Sequence, residues 1–258
     1  MLAIRKRTLG LLTGGLLIAG ASLTTAASAA TDPVPPPAST CDFHIDPPMP
    51  TISGDGMANL LIGTPGADVI VGLAGDDIIF GLGGNDVIVG GEGNDRIFGG
   101  QGDDEILGSL GDDIAFGGIG NDVIDGEDGH DVLSGDTGDD KIQGRSGTDT
   151  ASGADGLDVV CLGTQDDVAD GGLGADIVFG EPDNDVFSGD MDEDQLLGNS
   201  GNDRVIGADG ADAAWGGTGN DNFWGGLDAD FLDGEAGMDS ADGGAGADVC
   251  LTEVMVNC

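Results

Sequence analysis

Aspartate recurs at every ninth residue from Asp68 to Asp248 without a break. Carboxylates at fixed spacing do one of two kinds of chemistry. A pair in a pocket can act as general acid and base, which needs a unique constellation. A periodic series, presented at regular height, suits a hard cation bound through oxygen. Repetition favours the second. The other reactive side chains add little: of the two histidines, His44 sits in a proline-rich stretch and His130 takes a variable repeat position, where it reads as a surface substitution. The four cysteines form no C-x-x-C pair, so neither a zinc nor a redox site is expected. No catalytic residue and no organic cofactor can be nominated, and the chain is not expected to be an enzyme.

The charge balance agrees. Forty-nine acids face seven Lys and Arg, a formal net charge of −42, which excludes nucleic acid as a partner because phosphate binding needs clustered bases. With 52 glycines, 4% aromatics and no tyrosine, an ordinary core is hard to build. Disorder would be the default reading. The regular placement of the apolar residues argues against it.

The elements that must position the aspartates follow from the repeat. Residues 54–251 divide into 22 nonamers with no insertion or deletion, as in GLGGNDVIV (81–89) and GGEGNDRIF (90–98). Position one is glycine except at Leu162, position six is aspartate except at Asn59, and position four is mostly glycine. Position eight is apolar throughout, from Leu61 to Cys250. Such phase is the signature of a solenoid. The apolar triplet at positions seven to nine predicts a short strand, with position eight inward and its neighbours outward. The G-x-x-G-x-D portion predicts a tight turn, its glycines serving positive φ or close backbone approach. Two strands and two turns close a coil of 18 residues, so the expected fold is an all-β parallel β-roll of about 11 coils, roughly 50 Å long at the strand spacing.

Residues 18 apart then stack, which sets Asp86, Asp104 and Asp122 along one edge and Asp77, Asp95 and Asp113 along the other. Neighbouring carboxylates ~4.8 Å apart repel by about 1 kcal/mol even at the dielectric of water. Calcium between successive coils would remove that repulsion and would take turn carbonyls as further ligands. Folding and calcium binding are therefore expected to be one event.

GGEGNDRIF, GGTGNDNFW and GGLGADIVF resemble the RTX (repeats-in-toxin) nonapeptide, also called the haemolysin-type calcium-binding repeat, and the resemblance covers 54–251. It implies a parallel β-roll with multiple Ca2+ held by the position-six aspartates and turn carbonyls. Carried onto this chain, the ligands would be Asp68, Asp77, Asp86, Asp95, Asp104, Asp113, Asp122, Asp131, Asp140, Asp149, Asp158, Asp176, Asp185, Asp194, Asp203, Asp212, Asp221, Asp230, Asp239 and Asp248. Two features depart from the family's usual pattern: an N-terminal leader stands in place of an uncleaved C-terminal export signal, and no catalytic or toxin domain accompanies the repeats. The family name therefore implies neither a toxin nor an enzyme.

The leader is residues 1–29. Arg5, Lys6 and Arg7 precede an apolar run from Leu9, and Ala27-Ser28-Ala29 supplies a small-residue cleavage site, the pattern of a secretory signal peptide. After cleavage four basic residues against 49 acids leave −45, and no membrane span is expected. Residues 30–53, rich in proline, read as a linker or N-terminal cap, and 252–258 as a C-terminal cap. Cysteines suit an oxidising compartment, so the expected localisation is extracellular. Cys250 and Cys258, close in sequence, are the favoured disulfide, with Cys41–Cys161 as complement, although the sequence leaves all three pairings open.

Three further expectations concern the surface. Threonine occupies position three only at Thr137, Thr164 and Thr218, too few for an ice-binding ladder. Phe80, Phe98 and Phe116 recur at 18-residue steps and should form an outward stripe, either stiffening the sheet or docking a second copy or a cell-surface partner. Trp215 and Trp224 should lie on opposite faces. The segment LGTQDDVAD (162–170) lacks both turn glycines and offers only Ala169 for burial, so a hinge or calcium-poor gap is expected there. The resulting reading is a secreted, non-enzymatic, calcium-binding β-roll, with a calcium-dependent adhesion or matrix role as the alternative and an accessory module of an extracellular enzyme as a third.

Overall fold

The computed structural model describes residues 32–37, 41, 45 and 50–258, and the leader lies outside them. Two parallel sheets of twelve strands each face one another across a narrow interior. One contains Val69–Ala74, Val87–Glu92 and Glu105–Leu110; the other contains Ile78–Gly83, Arg96–Gln101 and Ile114–Ile119, and so on along the chain. Successive strands alternate between the sheets, so every neighbour within a sheet is one coil away. The register is 18 residues: Ile70 pairs with Ile88 and Ile79 with Ile97. A two-stranded parallel pair, Thr218–Gly219 with Ala236–Gly237, adds a small third sheet at one edge.

Position eight fills the interior as its period requires. Ile70, Ile79, Ile88, Ile97, Ile106, Ile124 and Ile142 are fully buried, and the column runs on to Phe187, Phe223 and Cys250 in one continuous core. The core is one side chain thick from each sheet.

Many strands are longer than the apolar triplet. Val69–Ala74 runs through positions one to three of the next nonamer, as do half the strands of its own sheet and most strands of the other. The reason is stacking: when coils superpose, the turns pair as well. The N–H of Gly84 donates to the Gln101 carbonyl at 2.7 Å, and that of Gly93 to Leu110 at 2.8 Å. The two roles expected of the turn glycines fall to different positions, close approach at position one and positive φ at position four. Position one has ordinary φ; the left-handed residues are at positions two and four, as at Leu82 (φ 80°) and Gly84 (φ 103°). Leucine at φ 80° is strained. Position two tolerates it because this exposed side chain has room outside the roll.

The segment 162–170 is no hinge. Val159–Thr164 and Val168–Leu173 continue both sheets without a gap. Leu162 is fully buried in the main core, alongside the small residues Ala151 and Ala169. The segment therefore buries more than Ala169, and glycine loss at position one adds core volume there.

Both expected disulfides are formed, Cys41–Cys161 and Cys250–Cys258. Cys41 sits on the outer face of the first sheet in a second apolar cluster with Cys161, Phe179, Leu197 and Trp215. Pro35 reaches the same face, beside Leu197 and Trp215. Trp215 is thus covered, whereas Trp224, on the other sheet, is 40% exposed under the Arg204 guanidinium at 4.8 Å. The phenylalanine stripe is present: Phe80 and Phe98 stack at 4.9 Å, Phe98 and Phe116 at 5.5 Å, with nearly parallel rings. Near the cluster, buried Asp125 accepts two 2.6 Å hydrogen bonds from the Arg145 guanidinium. Removing one partner of a buried pair strands the other charge. Arg145→Ala is expected to destabilise the calcium-loaded protein by roughly 2–4 kcal/mol, read from the denaturation midpoints of wild type and variant.

Candidate metal centre

The aspartate column is built into the roll edges by the turn that precedes each strand. On one edge Asp68 N–H donates to Asp86 Oδ1 (2.8 Å), Asp86 to Asp104 (2.8 Å) and Asp104 to Asp122 (2.7 Å), and the series runs to Asp248. On the other, Asp77 N–H donates to Asp95 Oδ1 (2.7 Å) and Asp95 to Asp113 (2.7 Å), on to Asp239. Each carboxylate thus reaches back one coil with one oxygen, and most are at most 2% exposed.

The second oxygen has no partner. Oδ2 of every ladder aspartate from Asp77 to Asp230, and again of Asp248, is buried without a hydrogen bond. A buried carboxylate with an unsatisfied oxygen is strongly disfavoured. Burial accordingly raises Asp113, Asp122, Asp131 and Asp140 to about 7, with neighbouring ladder carboxylates adding to it. Asp185 and Asp194 rise to about 8 for the same reason.

What the free oxygens face is set by position one. A Cβ added to Gly99 would lie 2.5 Å from Asp104 Oδ2 and 2.6 Å from the Gly117 carbonyl oxygen; on Gly108 it would lie 2.6 Å from Asp113 Oδ2 and 2.9 Å from Gly126 O. Glycine therefore leaves a small space where a carboxylate oxygen and a main-chain carbonyl of the next coil converge. Among the described residues no three His, Cys, Asp or Glu side chains cluster as a chelate. A cation here takes carboxylate and main-chain oxygens, a donor set that suits Ca2+ and not zinc. The residues present fit the ion.

The structure places the proposed ligands as the register requires, with two changes. Asp167, left out because its segment reads as a gap, stands in the ladder: its Oδ1 accepts from Asp149 N–H at 2.7 Å and its Oδ2 is orphaned like the others. Asp68 stands at the N-terminal end, but its Oδ2 is already held by the N–H and hydroxyl of Thr64, at 2.6 and 2.8 Å.

Two features were missed. Position five forms an outer ladder in the opposite sense: Asn94 N–H donates to Asp76, Asp112 to Asn94, His130 to Asp112, and Thr148 to His130 Nδ1. The signal was the preference for Asn and Asp in a column that looked variable. At the C-terminus, Glu253 Oε2 accepts from Asp239 N–H at 2.9 Å, doing the work of the next aspartate. Here the strand register shortens from 18 to 14 residues, Ser240 pairing with Val254. The Asn257 carbonyl lies beside Gly243, where the next coil's carbonyl would be. The loop closed by Cys250–Cys258 thus imitates a coil and ends the ladder.

The raised carboxyl pKa values give a pH dependence. In the metal-free roll the folded-state values lie above the ordinary 3.8. Protonation therefore stabilises the fold fully below about 3.8, and this is lost as pH rises through about 7. In chelator, acidification from pH 8 to 5 is expected to restore part of the β-sheet circular dichroism, while the calcium midpoint rises over the same range because protons compete for the ligands. A chelated chain equally unfolded at both pH values would contradict this.

The search of curated proteins finds no match. The family model for the RTX calcium-binding nonapeptide repeat matches in overlapping segments from 53–88 to 215–250, one ending at residue 160 and the next beginning at 162. Nonapeptide phase, parallel coils of 18 residues, and buried carboxylates with an unpartnered oxygen coincide over this span. The chain belongs to the RTX calcium-binding nonapeptide repeat family and binds multiple Ca2+ ions.

Proposed function

We propose that the protein is secreted through its N-terminal leader and acts outside the cell as a non-enzymatic β-roll that folds when calcium becomes available. One observation carries the reading: the ladder carboxylates have a buried oxygen that nothing in the protein satisfies. A chain of this kind is unstable as a roll where calcium is scarce and stable where it is abundant. Two disulfides support an oxidising destination. The acidic chemistry is repeated along both edges instead of gathered at one point, which supports a binding role over catalysis.

Fractionation of cells producing the full chain tests this. The expected result is calcium-loaded protein in the medium beginning near residue 30, and retention of a variant lacking residues 2–29. Wild-type protein held inside the cell would refute the secreted reading.

The adhesive alternative has support at one place. Beside the phenylalanine stripe, Leu60 and Ile62 are 62% and 53% exposed, an apolar patch at one end of the second sheet. The mutual stacking of Phe80, Phe98 and Phe116 supports a stiffening role for the rings themselves. Sedimentation of the secreted protein separates the two readings: a monomer that does not adhere to its own cells favours the first.

A further inference from the structure

The ladder is not uniform at one point. Every nonamer that supplies a ladder aspartate begins with glycine except the one that begins with Leu162. At each of those glycines, from Gly63 to Gly243, an added Cβ would come to 3.0 Å or closer to Oδ2 of the aspartate in the same turn. In most turns the same Cβ would also meet the carbonyl oxygen of the next coil. That is the space in which the orphaned oxygen and the carbonyl converge. Leu162 places a real Cβ, and three further carbons, at this position, and the whole side chain is buried in the core.

The neighbouring turns on the same edge keep the space. The glycine of the preceding turn, Gly144, has Asp149 Oδ2 at 2.5 Å from its added Cβ, and Leu162 still supplies its main-chain carbonyl there. The following one, Gly180, has Asp185 Oδ2 at 2.8 Å and Gly198 O at 3.1 Å. By the 18-residue register, the corresponding position in the turn 162–167 carries the Cβ of Leu162 in place of a glycine hydrogen. At the same level the chain supplies two attachments of another kind. Cys161, adjacent to Leu162, is joined to Cys41 across 120 residues of sequence. Its cluster with Phe179, Leu197 and Trp215 is buried on the outer face of the sheet.

We propose that the turn 162–167 takes no calcium: Leu162 occupies the ion's place, and apolar packing with the Cys41–Cys161 disulfide holds this turn instead. The proposal rests on the reading that the orphaned aspartate oxygens are the calcium ligands. On this edge it divides the calcium series into an N-terminal and a C-terminal run, separated by one metal-free turn that stays in register. Asp167 is retained because its Oδ1 still accepts the Asp149 N–H.

Native mass spectrometry of the oxidised, calcium-loaded protein counts the ions. Asp149→Asn, Asp167→Asn and Asp185→Asn each keep the Oδ1 acceptor and remove the charge. The expected result is a loss of at least one ion in D149N and in D185N, and the wild-type count in D167N. Leu162→Gly, if folded by circular dichroism, should bind one ion more than wild type; if it does not fold, D167N decides. A D167N protein that loses as many ions as D149N overturns the proposal, as does a folded L162G protein with the wild-type count. Should D149N and D185N also keep every ion, the ladder reading falls and takes the proposal with it.

Discussion

Stripped of calcium at neutral pH, the mature chain is expected to lose most of its β-sheet circular dichroism and to regain it in one cooperative transition on calcium titration. The reason lies in the thinness of the core and the location of the charge. Position eight contributes one side chain per strand, and at Ala115, Ala151, Ala169, Ala214 and Ala241 that side chain is a methyl group. The ladder meanwhile buries carboxylates whose Oδ2 atoms find no protein donor. Ionised and unpaired, each such group costs several kcal/mol, and the cost repeats at every coil. Ion binding converts it into a contribution to folding. Nearest-neighbour contact between coils then makes the transition cooperative. A β spectrum that survives excess chelator at neutral pH would show that the roll does not depend on the ion. The Cys41–Cys161 cluster is the place where residual structure would persist longest.

The second large effect concerns three consecutive members of one ladder. Asp86→Asn, Asp104→Asn and Asp122→Asn together should remove about three ions and raise the calcium midpoint about tenfold, the change that ~1.4 kcal/mol of lost binding free energy produces. Asparagine isolates the charge, because its Oδ1 can still accept the N–H of Asp68, Asp86 and Asp104 that the aspartates now accept. The triple alanine variant removes those acceptors as well and strands three buried donors, so it should fall further, by roughly 1–3 kcal/mol for each. Because the three sites share coils, the triple effect should depart from the sum of the single ones. Isothermal calorimetry and circular dichroism read both quantities. Unchanged stoichiometry in the asparagine variant would remove these aspartates from the ligand set.

Much of this was legible in advance because the repeat is the fold. A nine-residue phase held over 54–251 determines which residues face inward, that equivalent positions stack 18 apart, and that Asp86 lies by Asp104 instead of by Asp95. Each is a consequence of strand alternation and coil closure, which are local. The long strands were not legible, because the pairing of Gly84 with Gln101 arises only when two finished turns superpose. Nor was the reversed outer ladder through Asn94 and His130, since acceptance of an N–H one coil later depends on a turn geometry that residue type alone does not specify.

The sequence by itself determined the coil, the carboxylate edges and the ion they suit, because all three follow from periodicity. Only the tertiary structure decided what happens where the period is broken. It turned Leu162 from a missing glycine into a fully buried member of the main core, the same core that holds Ala151 and Ala169. It set Cys41 and Pro35 over Phe179, Leu197 and Trp215, burying an apolar column that repeats at the same 18-residue step as the half-buried phenylalanine stripe. It also made Glu253 the last rung, by shortening the final register from 18 to 14 residues. Periodic contacts are written into each repeat; these depend on which part of the chain arrives to meet them.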